Sequence, residues 1–173
     1  MNVTRLRRAA LVFTAAALLG CGEPPFGPVP SPTGITAALS TQSTPSGLLQ
    51  CSKLPATSVK QTIGSTGGTM RVGPHTFVVP SGALVQAVTI SAKTAGGTGN
   101  AIEFKPVGLA FLKPAYVTLS YANCNTGGSN VSKQVAYTTD SLAILYYVPS
   151  SDNPSALQVT GQISHFSNYA IAW

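Results

Sequence analysis

From Cys51 to the C-terminus the chain is written in short runs that alternate in polarity, and this pattern constrains the fold more than any other feature. The runs are QTIG, TMRVG, HTFVV, AVTISAKT, NAIEFKP, AYVTLSYA, KQVAYTT, LAILYYV, LQVTGQISHF and NYAIAW. They are rich in β-branched and aromatic residues, and Gly, Pro and Asn turns part them at intervals of about 8 to 12 residues. In AVTISAKT, Val88, Ile90 and Ala92 fall on one face of a strand and Thr89, Ser91 and Lys93 on the other. In AYVTLSYA, Val117, Leu119 and Tyr121 form a similar apolar face. No segment carries a sustained helical stripe, and Gly96-Gly97, Gly127-Gly128 and Asp152-Asn153-Pro154 read as loops. The expected fold is all-β: one antiparallel β-sandwich of about 8–10 short strands over residues 51–173, since two packed sheets bury one core economically.

The N-terminal region has a different character. Arg5, Arg7 and Arg8 precede an uncharged apolar run from Ala9 to Leu19. That run is shorter than the roughly 20 residues a spanning helix needs, and it has the build of a secretory signal. It ends at Leu18-Leu19-Gly20-Cys21, which resembles a bacterial lipobox. That resemblance implies a signal peptide over 1–20, cleavage before Cys21 and lipid attachment at Cys21; an ordinary secretory signal with an incidental Cys is the alternative. The pair Arg7-Arg8 lacks the rest of a twin-arginine export motif. Residues 21–50 are dense in Pro, Ser, Thr and Gly, a composition that reads as a flexible tether. Two or three acyl chains give stable attachment, so the expected location is exported and membrane-anchored. Gly22 stands where some bacteria use Asp for inner-membrane retention, which by analogy favours the outer membrane or cell surface.

Charge and cysteine use narrow the partners. Only 8% of residues are charged, and the formal net charge is +6. Three of the ten basic residues are signal arginines; without them seven oppose four acidic residues, leaving +3. The remaining lysines, from Lys53 to Lys133, are scattered, which argues against nucleic-acid binding. With Cys21 lipidated, Cys51 and Cys124 remain in an oxidising compartment, where a disulfide is expected; a pair of unbonded buried thiols is the alternative. Two cysteines and two histidines without short spacings suggest no metal site, and no cofactor is expected.

Catalytic patterns are sparse. There is no GxSxG elbow, phosphate loop or HExxH. Of the acidic residues, Glu23 lies in the tether, Glu103 in a strand facing solvent, and Asp140 and Asp152 in turns. No spacing brings two of them together as a hydrolytic pair. His75 follows Gly73-Pro74 and reads as a turn or surface histidine at the start of a strand. Tyr146, Tyr147 and Trp173 are candidate aromatic platforms for a glycan, with core packing the favoured account of them.

Several landmarks in order resemble the ZU-five domain, the β-sandwich of zonula occludens proteins, ankyrins and netrin receptors, in a divergent form carried by bacterial lipoproteins. They are Gly67-Gly68-Thr69-Met70, Val79-Pro80-Ser81-Gly82-Ala83-Leu84, Val88-Thr89-Ile90, Phe104-Lys105-Pro106-Val107-Gly108-Leu109, Phe111-Leu112-Lys113-Pro114, Val117-Thr118-Leu119-Ser120-Tyr121 and His165-Phe166-Ser167. The similarity covers roughly residues 58–173. Each landmark also has a structural account: Pro80 to Ala83 forms a turn with positive φ at Gly82, and Pro106 and Pro114 flank a short loop, outside any central strand.

The resemblance implies a domain that binds other proteins or an envelope polymer, or acts as a spacer. Ankyrin's partner spectrin has no counterpart here. Some self-cleaving relatives, in death-domain and inflammasome proteins, cut between Phe and Ser at a motif matching His165-Phe166-Ser167. There Ser167 Oγ would attack the Phe166 carbonyl with a histidine as base. In those relatives a second β-domain follows the cut, whereas only Ser167 to Trp173 follow here. The expected reading is therefore a non-catalytic module, with self-cleavage and glycan binding as alternatives, and the triplet as part of a terminal strand with Phe166 in the core.

Overall fold

A computed structural model describes residues 47–173. The proposed signal peptide, Cys21 and the tether through residue 46 lie outside the described residues. Within them the protein is all-β, with eleven antiparallel strands in two sheets and no helix. The strands are β1 (Ser58–Ile63), β2 (Gly68–Val72), β3 (His75–Val79), β4 (Val88–Thr94), β5 (Ala101–Lys105), β6 (Ala110–Ser120), β7 (Gln134–Thr138), β8 (Ile144–Tyr147), β9 (Ser150–Asn153), β10 (Gln158–His165) and β11 (Asn168–Ala172). One sheet has the order β1-β4-β5-β11-β7-β8 and the other β2-β3-β6-β10-β9. The chain therefore changes sheet six times: at both flanks, from β1 to β2 and from β8 to β9, and also from β3 to β4, β5 to β6, β6 to β7 and β10 to β11.

Side-chain alternation decides which face of each strand is buried. Ile90 and Ala92 on β4 are fully buried, as are Val117 and Leu119 on β6. Between the sheets lies a cluster of phenylalanines. Phe166 stacks on Phe104 with ring centroids 5.3 Å apart, meets Phe111 edge-on at 4.9 Å and lies 5.6 Å from Phe77. Burial of each such ring is worth roughly 1.5–3 kcal/mol, and each ring pair adds about 0.5–1.5 kcal/mol.

Three details depart from the sequence reading. Ser150–Asn153 is a strand, although Asp152-Asn153 reads as loop. It lacks apolar residues because it lies at the edge of its sheet, and it pairs with β10 from Gln158↔Asn153 to Gly161↔Ser150. Pro114 lies within β6, a central strand. The ladder with β10 runs regularly to Ile163↔Ala115 and resumes only at His165↔Ala110, so the proline occupies an irregular stretch where no ladder bond is lost. Residues 47–50, assigned to the tether by composition, pack on the six-stranded sheet. Leu49 is fully buried and its N–H donates to the Ile171 carbonyl at 3.0 Å; the Trp173 N–H donates to the Gly47 carbonyl at 3.0 Å.

The disulfide joins Cys51 to Cys124 across 73 residues. It fastens this N-terminal arm to the segment after β6, where the Asn125 N–H also donates to the Gln50 carbonyl at 2.8 Å. Two glycines are set by geometry. Gly67 takes φ 77° in the β1–β2 turn, and a Cβ there would sit 2.3 Å from the Val79 carbonyl oxygen. Gly161 on β10 faces the other sheet at close quarters, where a Cβ would lie 2.7 Å from Val135 Cβ and 2.9 Å from Val148 Cγ2.

Two stability changes follow. Gly161→Ala forces β10 away from β7 and should destabilise the domain by about 1–3 kcal/mol, the usual range for overpacking; urea unfolding monitored by tyrosine fluorescence checks this. Removing the disulfide as Cys51→Ala/Cys124→Ala should cost about 4 kcal/mol by the loop-entropy relation, read as a lower urea midpoint. An unchanged midpoint in either case contradicts the packing or cross-link account.

Candidate functional site

The His165-Phe166-Ser167 triplet does not lie on one regular strand. β10 ends at His165 and β11 begins at Asn168, so Phe166 and Ser167 carry the chain from one sheet to the other. Backbone hydrogen bonds hold this link. The Phe166 N–H donates to the Leu109 carbonyl at 2.9 Å, Gly108 N–H to the Phe166 carbonyl at 3.0 Å, and Phe104 N–H to the Ser167 carbonyl at 3.0 Å. The Phe166 ring is buried, as the sequence suggests.

His165 is only partly exposed, and its imidazole turns toward β7 and β11. Nδ1 lies 2.8 Å from the Tyr169 hydroxyl, which itself donates to the His165 carbonyl at 2.7 Å. A hydroxyl has one proton, so the imidazole donates through Nδ1–H. The ring also packs on Tyr137 at 5.1 Å. The histidine nearest Ser167 in sequence is thus bonded to Tyr169, and His165 and Ser167 do not share one strand face because the chain changes sheet between them. Burial pushes the Tyr169 hydroxyl well above the ordinary tyrosine range.

His75 differs most from its sequence reading. It is fully buried, not a surface or turn residue. It starts β3 and alternates with Phe77 and Val79 on the inner face. Its Nδ1 accepts a hydrogen bond from the Ser120 N–H at 3.1 Å, whereas Nε2 has no hydrogen-bond partner. Desolvation lowers its pKa from 6.5 to about 4, so at neutral pH it is an uncharged core residue.

The acidic residues have separate roles. Glu103 faces outward as expected and pairs with Lys93 at 2.8 Å and Lys105 at 3.2 Å. The hydrogen bond from Lys93 is the main cause holding its carboxyl below the usual range. Asp140, in the turn after β7, accepts from Asn168 Nδ2 at 2.7 Å. Both line a groove of about 420 Å³ on the outer face of the six-stranded sheet, a proximity no spacing in the sequence indicates. A general acid needs a raised pKa; that of Glu103 moves the opposite way. Asp152 is in β9, not in a turn. It accepts from the Tyr121 hydroxyl and the Lys133 N–H, each at 2.8 Å. Burial and this carboxylate push Tyr121 up to about 12.

The three candidate aromatic platforms do not share a surface. Tyr146 pairs with Tyr137 and Tyr147 with Ala136, so the two tyrosines face opposite sides of their sheet. Trp173 lies beyond β11, where the Lys133 ammonium sits 4.5 Å from its ring centroid. Lys133 itself is buried, donating through Nζ to the carbonyls of Val131 at 2.7 Å and Ser129 at 3.2 Å. Among the described residues no group of three or more His, Cys, Asp or Glu side chains is placed to hold a metal ion.

His75 generates a pH prediction. Its folded pKa of about 4 lies below the unfolded value of 6.5, so between these values the unfolded chain binds the extra proton. Stability contributed by the neutral core histidine is complete above pH 6.5 and is lost as pH falls toward 4, by about 3 kcal/mol. Chemical unfolding of the wild type and His75→Gln at pH 7.5, 5.5 and 4.5 checks this: the variant should lack that part of the acid sensitivity, and parallel curves would contradict it. In comparisons with known proteins, no family model and no curated protein matches the chain.

Proposed function

We propose that the protein is an exported, lipid-anchored β-sandwich module that works by binding in the cell envelope, and that it is a divergent member of the ZU-five type. Its signal-like N-terminus and Cys21 provide the attachment, and residues 22–46 the reach. The observation that carries this reading is the clasp at the domain's entry. Leu49 in the core, the Gly47–Trp173 backbone bond and the Cys51–Cys124 disulfide together fix the incoming chain to the folded body. Such an entry suits a domain held off a surface by its N-terminal side while its sheet faces meet a partner.

The side chains most suggestive of chemistry are committed to the fold. His75 is neutral and buried, His165 is bonded to Tyr169, and Phe166 fills the inter-sheet core. These roles support a non-catalytic module with an intact Phe166–Ser167 bond.

Intact-mass and partition measurements test the attachment. The mature wild type should show one lipidated species ending at Trp173 and enter the detergent phase, and Cys21→Ala should remain aqueous. A species ending at Phe166 that Ser167→Ala abolishes would replace this reading with self-processing. Affinity capture from an envelope extract with the full-length protein tests the binding role itself: specific retention of a protein or polymer is expected, and a chain that retains neither contradicts it.

A further inference from the structure

The two outer faces of the sandwich differ in chemistry. On the six-stranded sheet the outward positions include Lys60, Lys93, Glu103 and Lys105, paired across strands as Lys60↔Ser91↔Lys105 and Lys93↔Glu103. On the five-stranded sheet the outward rows are almost free of charge. One row runs Arg71↔Thr76↔Thr118↔Thr160↔Ser151 across all five strands. The next runs Thr69↔Val78↔Tyr116↔Gln162 across four. Arg71, on the edge strand β2, is the only charged residue in either row.

Toward the β9 edge of this face lies a built recess. A groove of about 190 Å³ is lined by Tyr116, Pro149, Ser150, Ser151, Thr160 and Gln162. Tyr116 is 37% exposed although it occupies a central strand. The hydroxyls of Thr118 and Thr160 are 2.8 Å apart and hydrogen-bonded, which orders both side chains before any ligand arrives. The backbones that carry successive residues of the row are separated by the strand spacing of about 4.8 Å.

We propose that this face binds an uncharged polysaccharide, with the Tyr116 ring as stacking platform and Thr160, Ser151 and Gln162 as hydrogen-bond partners. This rests on the reading of the protein as a binding module and names its ligand class. A sugar ring presents an apolar C–H face beside a rim of hydroxyls, and the groove offers the complement: one aromatic ring beside hydroxyl and amide groups. Absence of charge in the groove lining fits a neutral polymer, which gains nothing from ion pairs. It suits a protein partner less well, because the core of a protein interface uses large apolar and aromatic residues and is depleted in serine. The sequence carries a trace of this site: Tyr116 and Thr118 alternate with the buried Val117 and Leu119.

Affinity electrophoresis and retention on insoluble polymers test the proposal, using the full-length protein in detergent and a panel of glucans, mannan, xylan and chitin. Retention by at least one polymer is expected, unchanged when salt rises from about 0.05 to 0.5 M. Tyr116→Ala should weaken it roughly tenfold, Gln162→Ala several-fold, and Tyr147→Ala on the other sheet not at all. Tyr116→Phe should keep most of the affinity, which separates stacking from folding; circular dichroism checks each variant. No retention by any neutral polymer, or retention that salt abolishes or that Tyr116→Ala and Gln162→Ala leave intact, overturns the proposal. If the envelope extract yields a protein partner while every polymer fails, the binding-module reading survives and this ligand class does not.

Discussion

The packing of Phe166 against Phe77, Phe104 and Phe111 is the interaction on which the remaining architecture depends. Phe77 and Phe111 come from the five-stranded sheet and Phe104 from the six-stranded one, while Phe166 lies on the strap between them. The strap must leave one central strand and enter another within two residues, so its side chain has no alternative to the space between the sheets. Its backbone is tied at the same point by hydrogen bonds with Leu109, Gly108 and Phe104. The polar flanks, His165 with Tyr169 and Asn168 with Asp140, then fall into place around a fixed core. A triplet that resembles a reactive site thus has a sufficient physical purpose in closing the sandwich.

The same economy appears in the polar groups. Asp152 takes both the Tyr121 hydroxyl and the Lys133 N–H, and so ties the edge strand β9 to the end of β6 and the start of β7. Asn100 reaches the Ser120 carbonyl at 2.8 Å. Buried polar atoms with partners strengthen a small core, whereas one without a partner costs free energy. His75 Nε2 and Thr138 Oγ1 are the two buried side-chain polar atoms among the described residues that stay unsatisfied, and in the first case that cost is coupled to pH.

Alternation made the fold class legible because the side-chain period of a strand is independent of partners; Ile90, Ala92, Val117 and Leu119 are buried as the pattern requires. What was not legible depended on neighbours distant in sequence. Ser150–Asn153 reads as loop because backbone pairing with β10 makes it a strand. Leu48-Leu49 sits in tether-like composition, and its docking is decided by β11, more than a hundred residues away. His75 carried a signal in its spacing from Phe77 and Val79, masked by the turn residues before it. The opposed faces of Tyr146 and Tyr147 were implied by their adjacency. The groove beside Tyr116 was not, since β9 and Pro149 supply one wall.

The disulfide also sets a path for mechanical load. Tension entering at residue 47 would first unzip the Leu48↔Ala172 bridge and pull on Leu49, then reach Cys51. From there the covalent route leads directly to Cys124. Strands β1 to β6 lie inside the closed loop and are bypassed by the stretched chain, so six of the eleven strands, including the one that carries Tyr116, are shielded from extension while the bond holds. A domain clasped in this way keeps six strands of its sandwich, and the Tyr116 ring with them, slack under drag.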